Sequence, residues 1–398
     1  MLTGSDAFGA RAALRIPGGA STGSKGPASL WGDAPDGLPT HFIRAAGCRV
    51  TLSDGRELID LTMALGAVAL GYAHPEVTER MVATLRAGPV SGLVHPLEGE
   101  LAERLSAVIP CAEQVRFMKS GAEGVAAALR IARTSTGRSH VVASGYFGWL
   151  DWSSDSAGVP PRARADVTQV RAHDLAALER AVSDHAPDLA AILLEPVVEH
   201  APDPAWLARA RALATRHGAV LIFDEIKTGV RTHAGGWQSI ASVIPDLAVF
   251  GKALANGAPL AAVVGTRSVM EAATRTWISS TLAGEASALA AALAVLDVAE
   301  RERVPERLAA TGTRLREAAQ AALDTAGVPG VTVQGIAPFF FVRFDQPRRE
   351  RAWLAALVRH GVLAKRGPYN FAALAHDDAT CTLVERAFGA AALEIPVE

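Results

Sequence analysis

Cysteine, lysine, long apolar runs and an excess of either charge are missing or scarce in this 398-residue chain. The three cysteines, Cys48, Cys111 and Cys381, are too scattered for a disulfide framework or a metal knuckle, and no metal is expected. The longest uncharged apolar run, residues 61–73, falls short of the ~20 residues that cross a bilayer. The first residues lack the basic-then-apolar pattern of a secretory signal. Lys+Arg minus Asp+Glu is 39 − 41 = −2, which gives no reason to expect nucleic acid or a membrane as partner. Only five lysines are present (Lys25, Lys119, Lys227, Lys252, Lys365), so chemistry that needs a neutral amine has few candidates. What is present is a 49% hydrophobic, 20% charged mixture, enough to bury a large core and too apolar for disorder. These features describe a soluble, cytoplasmic protein with room for two or three domains at roughly 100–200 residues each, or for one large α/β unit.

Residues 1–30, rich in Gly, Ser, Ala and Pro, read as an irregular arm. From residue 115 to 250, short apolar strands (115–118, 141–143, 190–194, 219–223, 247–250) alternate with helical stretches (123–133, 175–183, 204–217), which predicts a mostly parallel sheet covered on both faces. Residues 285–325 are almost wholly helical. Strands at 331–333 and 339–344 and helices near 350–360 and 380–391 predict a small α+β domain at the end.

Ligands of open parallel sheets bind beyond the carboxyl ends of the strands, so the polar residues that end each run carry the information. Strand 115–118 runs into Lys119-Ser120-Gly121-Ala122-Glu123 and a helix, either a phosphate cradle of free N–H groups or an ordinary N-cap. Gly145-Tyr146-Phe147-Gly148-Trp149 offers a stacking platform or plain loop packing. Glu195 and Asp224 follow apolar strands directly and either cap the next element or meet a ligand cation. Lys252 follows strand 247–250 and is either a snorkelling surface lysine or a buried amine in use. Together these are the parts that pyridoxal 5′-phosphate needs: an anion site, a stacking surface, a carboxylate for the ring nitrogen and an amine for the aldehyde.

At these positions the chain resembles the class III aminotransferases, fold-type I pyridoxal phosphate enzymes, and in particular the branch containing glutamate-1-semialdehyde aminomutase. The resemblance runs from Ile16-Pro17-Gly18-Gly19 to the region of His376. It rests on Gly71-Tyr72-Ala73-His74-Pro75, on residues 115–123 and 132–138, on Phe223-Asp224-Glu225-Ile226-Lys227-Thr228-Gly229-Val230-Arg231 and on Gly251-Lys252. It implies an α/β fold: a mostly parallel central sheet flanked by helices, with a small α+β C-terminal domain. The implied division is an N-terminal arm and small-domain segment over 1–70, a large cofactor-binding domain over 71–295 and a small domain over 296–398. It further implies Lys252 as Schiff-base lysine and proton carrier, and Asp224 on the pyridine nitrogen. Ile226 and Tyr146 would lie on the two ring faces, Ser120, Gly121 and Ala122 at the phosphate, and Glu195 near the ring. Thr281 would reach the phosphate of a neighbouring subunit in a homodimer with shared active sites. Two departures from the family pattern stand out: Phe147 where histidine is usual, and Glu285-Ala286 where Asn-Pro is common. Arg231 and Arg366 are the candidate clamps for a substrate carboxylate.

The expected activity is transfer of an amino group from an amino-acid donor to an aldehyde or ketone acceptor in two half-reactions. The alternative is an aminomutase, which moves nitrogen within one molecule with the same residues. A non-catalytic protein on this fold would not need Lys252 and Asp224 together. A nucleotide-binding reading lacks a glycine-rich or Walker-type signature after the first strand.

Overall fold

Five strands of this chain are buried along their whole length, as strands covered on both faces must be. In the computed structural model, which describes residues 5–32 and 37–396, they belong to one seven-stranded sheet. In chain order the strands are β1 (Gln114–Met118), β2 (His140–Ser144), β3 (Val167–Gln169), β4 (Leu189–Leu194), β5 (Val220–Asp224), β6 (Leu247–Phe250) and β7 (Ala261–Gly265). Their spatial order is β1-β7-β6-β5-β4-β2-β3. The β3-β2-β4-β5-β6 pairs are parallel, and β7 alone runs antiparallel to both neighbours, β6 and β1. The fold is therefore mixed α/β with a large, mostly parallel sheet. β7 was not foreseen because alanine, two of its five residues, carries no strand preference.

Helix α1 (Gly121–Thr136) shows why the chain turns where it does. Ser120 accepts from the Glu123 N–H while the Glu123 carboxylate takes the Ser120 N–H, a closed capping box, and Gly137 ends the helix at φ 68°. Val125, Ala128, Leu129 and Ala132 repeat at helical spacing and are buried against the sheet core. The helix starts at Gly121, two residues before the expected start at 123. Helix α2 (Leu175–Asp184) is N-capped by Asp174 and α3 (Pro204–His217) by Asp203. Helix α4 (Ala286–Arg301) is buried on nearly all sides, as its Ala/Leu sequence requires.

The chain divides into two compact units, residues 75–305, which hold this sheet, and residues 1–74 with 306–398. The second unit has a four-stranded sheet (Phe42–Ala46, Arg49–Leu52, Glu57–Asp60, Val362–Leu363) and a three-stranded one (Val331–Ile336, Phe339–Phe344, Asn370–Phe371). Its core gathers Phe340, Trp353, Leu357, Val384 and Phe388. Residues 1–4 of the expected arm lie outside the described residues. The rest is not irregular throughout: Ser5–Ala13 and Pro27–Trp31 are helical. Tertiary anchoring explains the second, since Trp31 is buried and its Nε1–H donates to Pro39 O at 2.9 Å. No helix among the described residues is long and apolar enough to cross a membrane.

Candidate active site

The carboxyl ends of β4, β5 and β6 bring Glu195, Asp224 and Lys252 to one edge of the sheet. Asp224, the last residue of β5, is buried, and its Oδ1 accepts the Ile226 N–H at 3.0 Å. No hydrogen bond to its Oδ2 is found among the described residues. Burial and the nearby Glu195 charge push the Asp224 carboxyl up to about 7, against the smaller opposing effects of the Ile226 N–H, Lys252 and Lys227. The sheet edge thus holds a carboxylate short of a cationic partner.

Lys252 departs from the buried amine expected of it. The residue as a whole is exposed, standing just beyond the end of β6. Protein nevertheless crowds it on its other sides: loss of water holds its ammonium below the ordinary lysine value, and repulsion from Lys227 adds to this. The amine makes no hydrogen bond or ion pair among the described residues. Its backbone is left-handed, φ 47°, a sparsely populated conformation outside glycine that is held here between Gly251 and the short helix Lys252–Ala255.

Close backbone approaches assemble the surrounding surface. A Cβ on Gly121 would lie 2.5 Å from Ile226 Cδ1, one on Gly148 2.7 Å from Ala122 Cβ, and one on Gly145 2.6 Å from Glu195 Cβ. The Gly145–Trp149 loop, the start of α1, Ile226 and Glu195 therefore form one contiguous patch. The Gly121 and Ala122 N–H groups, first in α1, have no acceptor among the described residues and face the positive end of the helix dipole. The Ser120 hydroxyl, expected to be free for a ligand, is engaged by the cap of its own helix through Glu123. Tyr146 is exposed, with its backbone N–H on Glu195 Oε2 at 3.3 Å, whereas Phe147 is buried against Trp152.

Thr281 is exposed and lines a separate recess of about 360 Å³ formed with residues 88–98. Arg231 is fully buried, and burial pushes its guanidinium down to about 9, so it offers no surface to a substrate carboxylate. Arg366 belongs to the other unit and pairs with Glu350 at 3.2 Å.

Sequence reasoning missed Lys227. Its buried ammonium pairs with Glu195 Oε1 and donates to Val198 O at 3.2 Å. The available signal was its rarity: one of five lysines, three residues after Asp224.

The geometry has counterparts among known proteins. The sequence profile described as aminotransferase class-III matches residues 34–152 and 154–374. The chain is 29% identical over 377 residues to 3-aminobutyryl-CoA aminotransferase of Cloacimonas acidaminovorans, covering 91% of this chain and 90% of that protein. It is 33% identical over 394 residues to glutamate-1-semialdehyde 2,1-aminomutase of Symbiobacterium thermophilum, covering 92% and 86%. In structure it is similar to the FumI protein of Sphingopyxis sp. MTA144 in its PLP internal aldimine form, with TM-score 0.92, 27% identity and coverage of 98% and 95%.

Proposed function

The chain belongs to the aminotransferase class-III family, and on that footing we propose that it is a pyridoxal 5′-phosphate-dependent aminotransferase. It would move an amino group from an amino-acid donor to an aldehyde or ketone acceptor. The observation that carries this reading is the buried Asp224 carboxylate with Oδ2 open, beside the unpaired, deprotonation-prone amine of Lys252. The residues fit the cofactor: a buried carboxylate short of a cation suits a protonated ring nitrogen, and a water-poor amine suits an aldehyde. Bound there, pyridoxal 5′-phosphate supplies a carbonyl that links to amines and a ring that draws electrons from the substrate's α-carbon.

The protein's own part is to bind, orient and move a proton. Lys252 would be the residue that anchors the cofactor carbonyl and, with its amine free, the base that carries a proton at Nζ, help worth roughly 100- to 10,000-fold. Asp224 Oδ2 would hold the ring N–H, with Glu195 near the ring. Ile226 would cover one ring face and Tyr146 the other. The Gly121 and Ala122 N–H groups and the α1 dipole would hold the phosphate, with Ser120 beside them.

The active unit in this proposal is a homodimer in which Thr281 serves the phosphate of a second copy. Exposed Leu93 and Val94, which line that recess, and Leu282 between Thr281 and Ala283 support it, since such side chains call for cover. A cytoplasmic location belongs to the same proposal, supported by three free, buried cysteines.

The test is spectroscopic. Purified protein should show a visible cofactor band that borohydride abolishes, with the reduced adduct mapped to Lys252, and Lys252→Ala should be colourless. A yellow Lys252→Ala protein with an intact covalent link would overturn the assignment. The 33% identity to an aminomutase keeps one second reading. Release of a keto acid from the amino donor without acceptor turnover separates transfer from intramolecular exchange.

A further inference from the structure

Four charged groups bear on the Lys252 amine: Asp224 from the end of β5, Lys227 and Arg231 from the turn after it, and Glu195 from the end of β4. Arg231 is fully buried beneath them. Of the other three, Lys227 and Glu195 form an ion pair. Lys227 is fixed at both ends of its reach, to Glu195 Oε1 and to Val198 O at 3.2 Å, and its side chain is only 6% exposed. Glu195 Oε2 is in turn tied to the Tyr146 N–H. An ammonium so confined cannot swing away to solvent as a surface lysine would.

We propose that Lys227 is a positioning residue of the reaction: clamped on Glu195, it sets the balance of charge in which Lys252 works as an amine rather than as an ammonium. Its positive charge opposes protonation of Lys252. By neutralising Glu195 it also keeps that carboxylate from favouring the charged lysine and from opposing ionisation of Asp224. The inference rests on the aminotransferase reading only for the use made of Lys252; the charge balance itself is a property of the chain.

The experiment is competitive acylation of full-length protein freed of bound cofactor, with acetic anhydride across a pH series and the extent at Lys252 read by peptide mass. Lys227→Met should raise the midpoint of Lys252 reactivity by on the order of one pH unit, and Lys227→Arg should leave it near wild type. Glu195→Gln, nearly isosteric and leaving the Lys227 charge uncompensated, should lower the midpoint. Opposite displacements by the two neutralising variants are what a merely structural role would not produce. If Lys227→Met does not fold, Lys227→Gln takes its place with the same expected rise. Unchanged midpoints, or displacements of the same sign, overturn the proposal. Absence of a borohydride-trapped pyridoxal phosphate adduct at Lys252 would instead overturn the cofactor reading, which the acylation does not use.

Discussion

Ile226 closes on Gly121 so tightly that a methyl group on residue 121 would lie 2.5 Å from its Cδ1 and 3.3 Å from its Cγ1. The nearest atom is the free end of a side chain, so Gly121→Ala can be accommodated by turning Ile226. The expected loss of stability is small, under about 1 kcal/mol, because alanine is otherwise favourable in a helix. The larger effect falls on the displaced Ile226 face. Pyridoxal phosphate affinity, followed by fluorescence titration, should weaken roughly tenfold, about 1.4 kcal/mol. The additional change Ile226→Val should recover part of it. An unchanged affinity would separate Ile226 from the ring.

Asp224 makes the cofactor-free protein's stability fall with pH. Its carboxyl is raised from 3.8 to about 7, so between those values the folded state holds the proton more tightly than the unfolded chain. Stability from this group is present below about pH 4 and lost as pH rises towards 7. Asp224→Asn removes the titration. The melting temperature of the variant minus that of wild type should increase from pH 4 to pH 7 and then level off. With cofactor and substrates, the same variant should lose roughly 100-fold or more in transamination rate. A pH-independent difference in melting would place the titration elsewhere.

Glu225 beside it serves the fold rather than the chemistry. Its carboxylate is fully buried and accepts from Thr228 Oγ1, the Trp237 N–H at 2.8 Å and the Gln238 N–H at 2.9 Å. Glu225→Ala strands three donors, two of them buried, and should destabilise by about 3 kcal/mol or more in urea unfolding. Glu225→Gln, which keeps one acceptor oxygen, should cost less than half as much. The ordering of the two variants is the check.

The strands β4, β5 and β6 were legible because continuous apolar runs leave little choice but a covered sheet, and the polar residues ending them marked the site. β3 was not, since Val-Thr-Gln is too short and too polar to declare itself. The exposure of Lys252 was hidden for a related reason: adjacency to an apolar strand locates the Cα, while the direction of the side chain depends on a left-handed φ that the Gly-Lys pair does not announce. The commitment of Ser120 to Glu123 could be read as a capping box or as an anion site, and one tripeptide serves both. The Lys227–Glu195 pair joins residues 32 apart, and nothing local in either segment specifies the other.

Glu285 shows how a departure from the family pattern is accommodated. It is the N-cap of α4, accepting from the Ser287 N–H at 2.9 Å and the Ala288 N–H at 3.3 Å, and it pairs with Lys119 at 3.1 Å next to the start of α1. Burial alone would raise its carboxyl, but the hydrogen bonds from Ser287 and Lys119 outweigh it and the group lies below the ordinary value. A lowered folded-state value means stability that is fully present above about pH 4.5 and is lost as pH falls below that, through the lower folded-state value. Glu285→Ala should therefore destabilise by about 1–2 kcal/mol at pH 7, with the deficit shrinking below pH 4.5. Glu285→Asn keeps a capping oxygen and loses only the Lys119 pair, so it should fall within about 1 kcal/mol of wild type. Urea unfolding of both variants at pH 7 and pH 4 decides the matter. An alanine deficit that stays constant with pH would show that the cap is held by shape and not by charge.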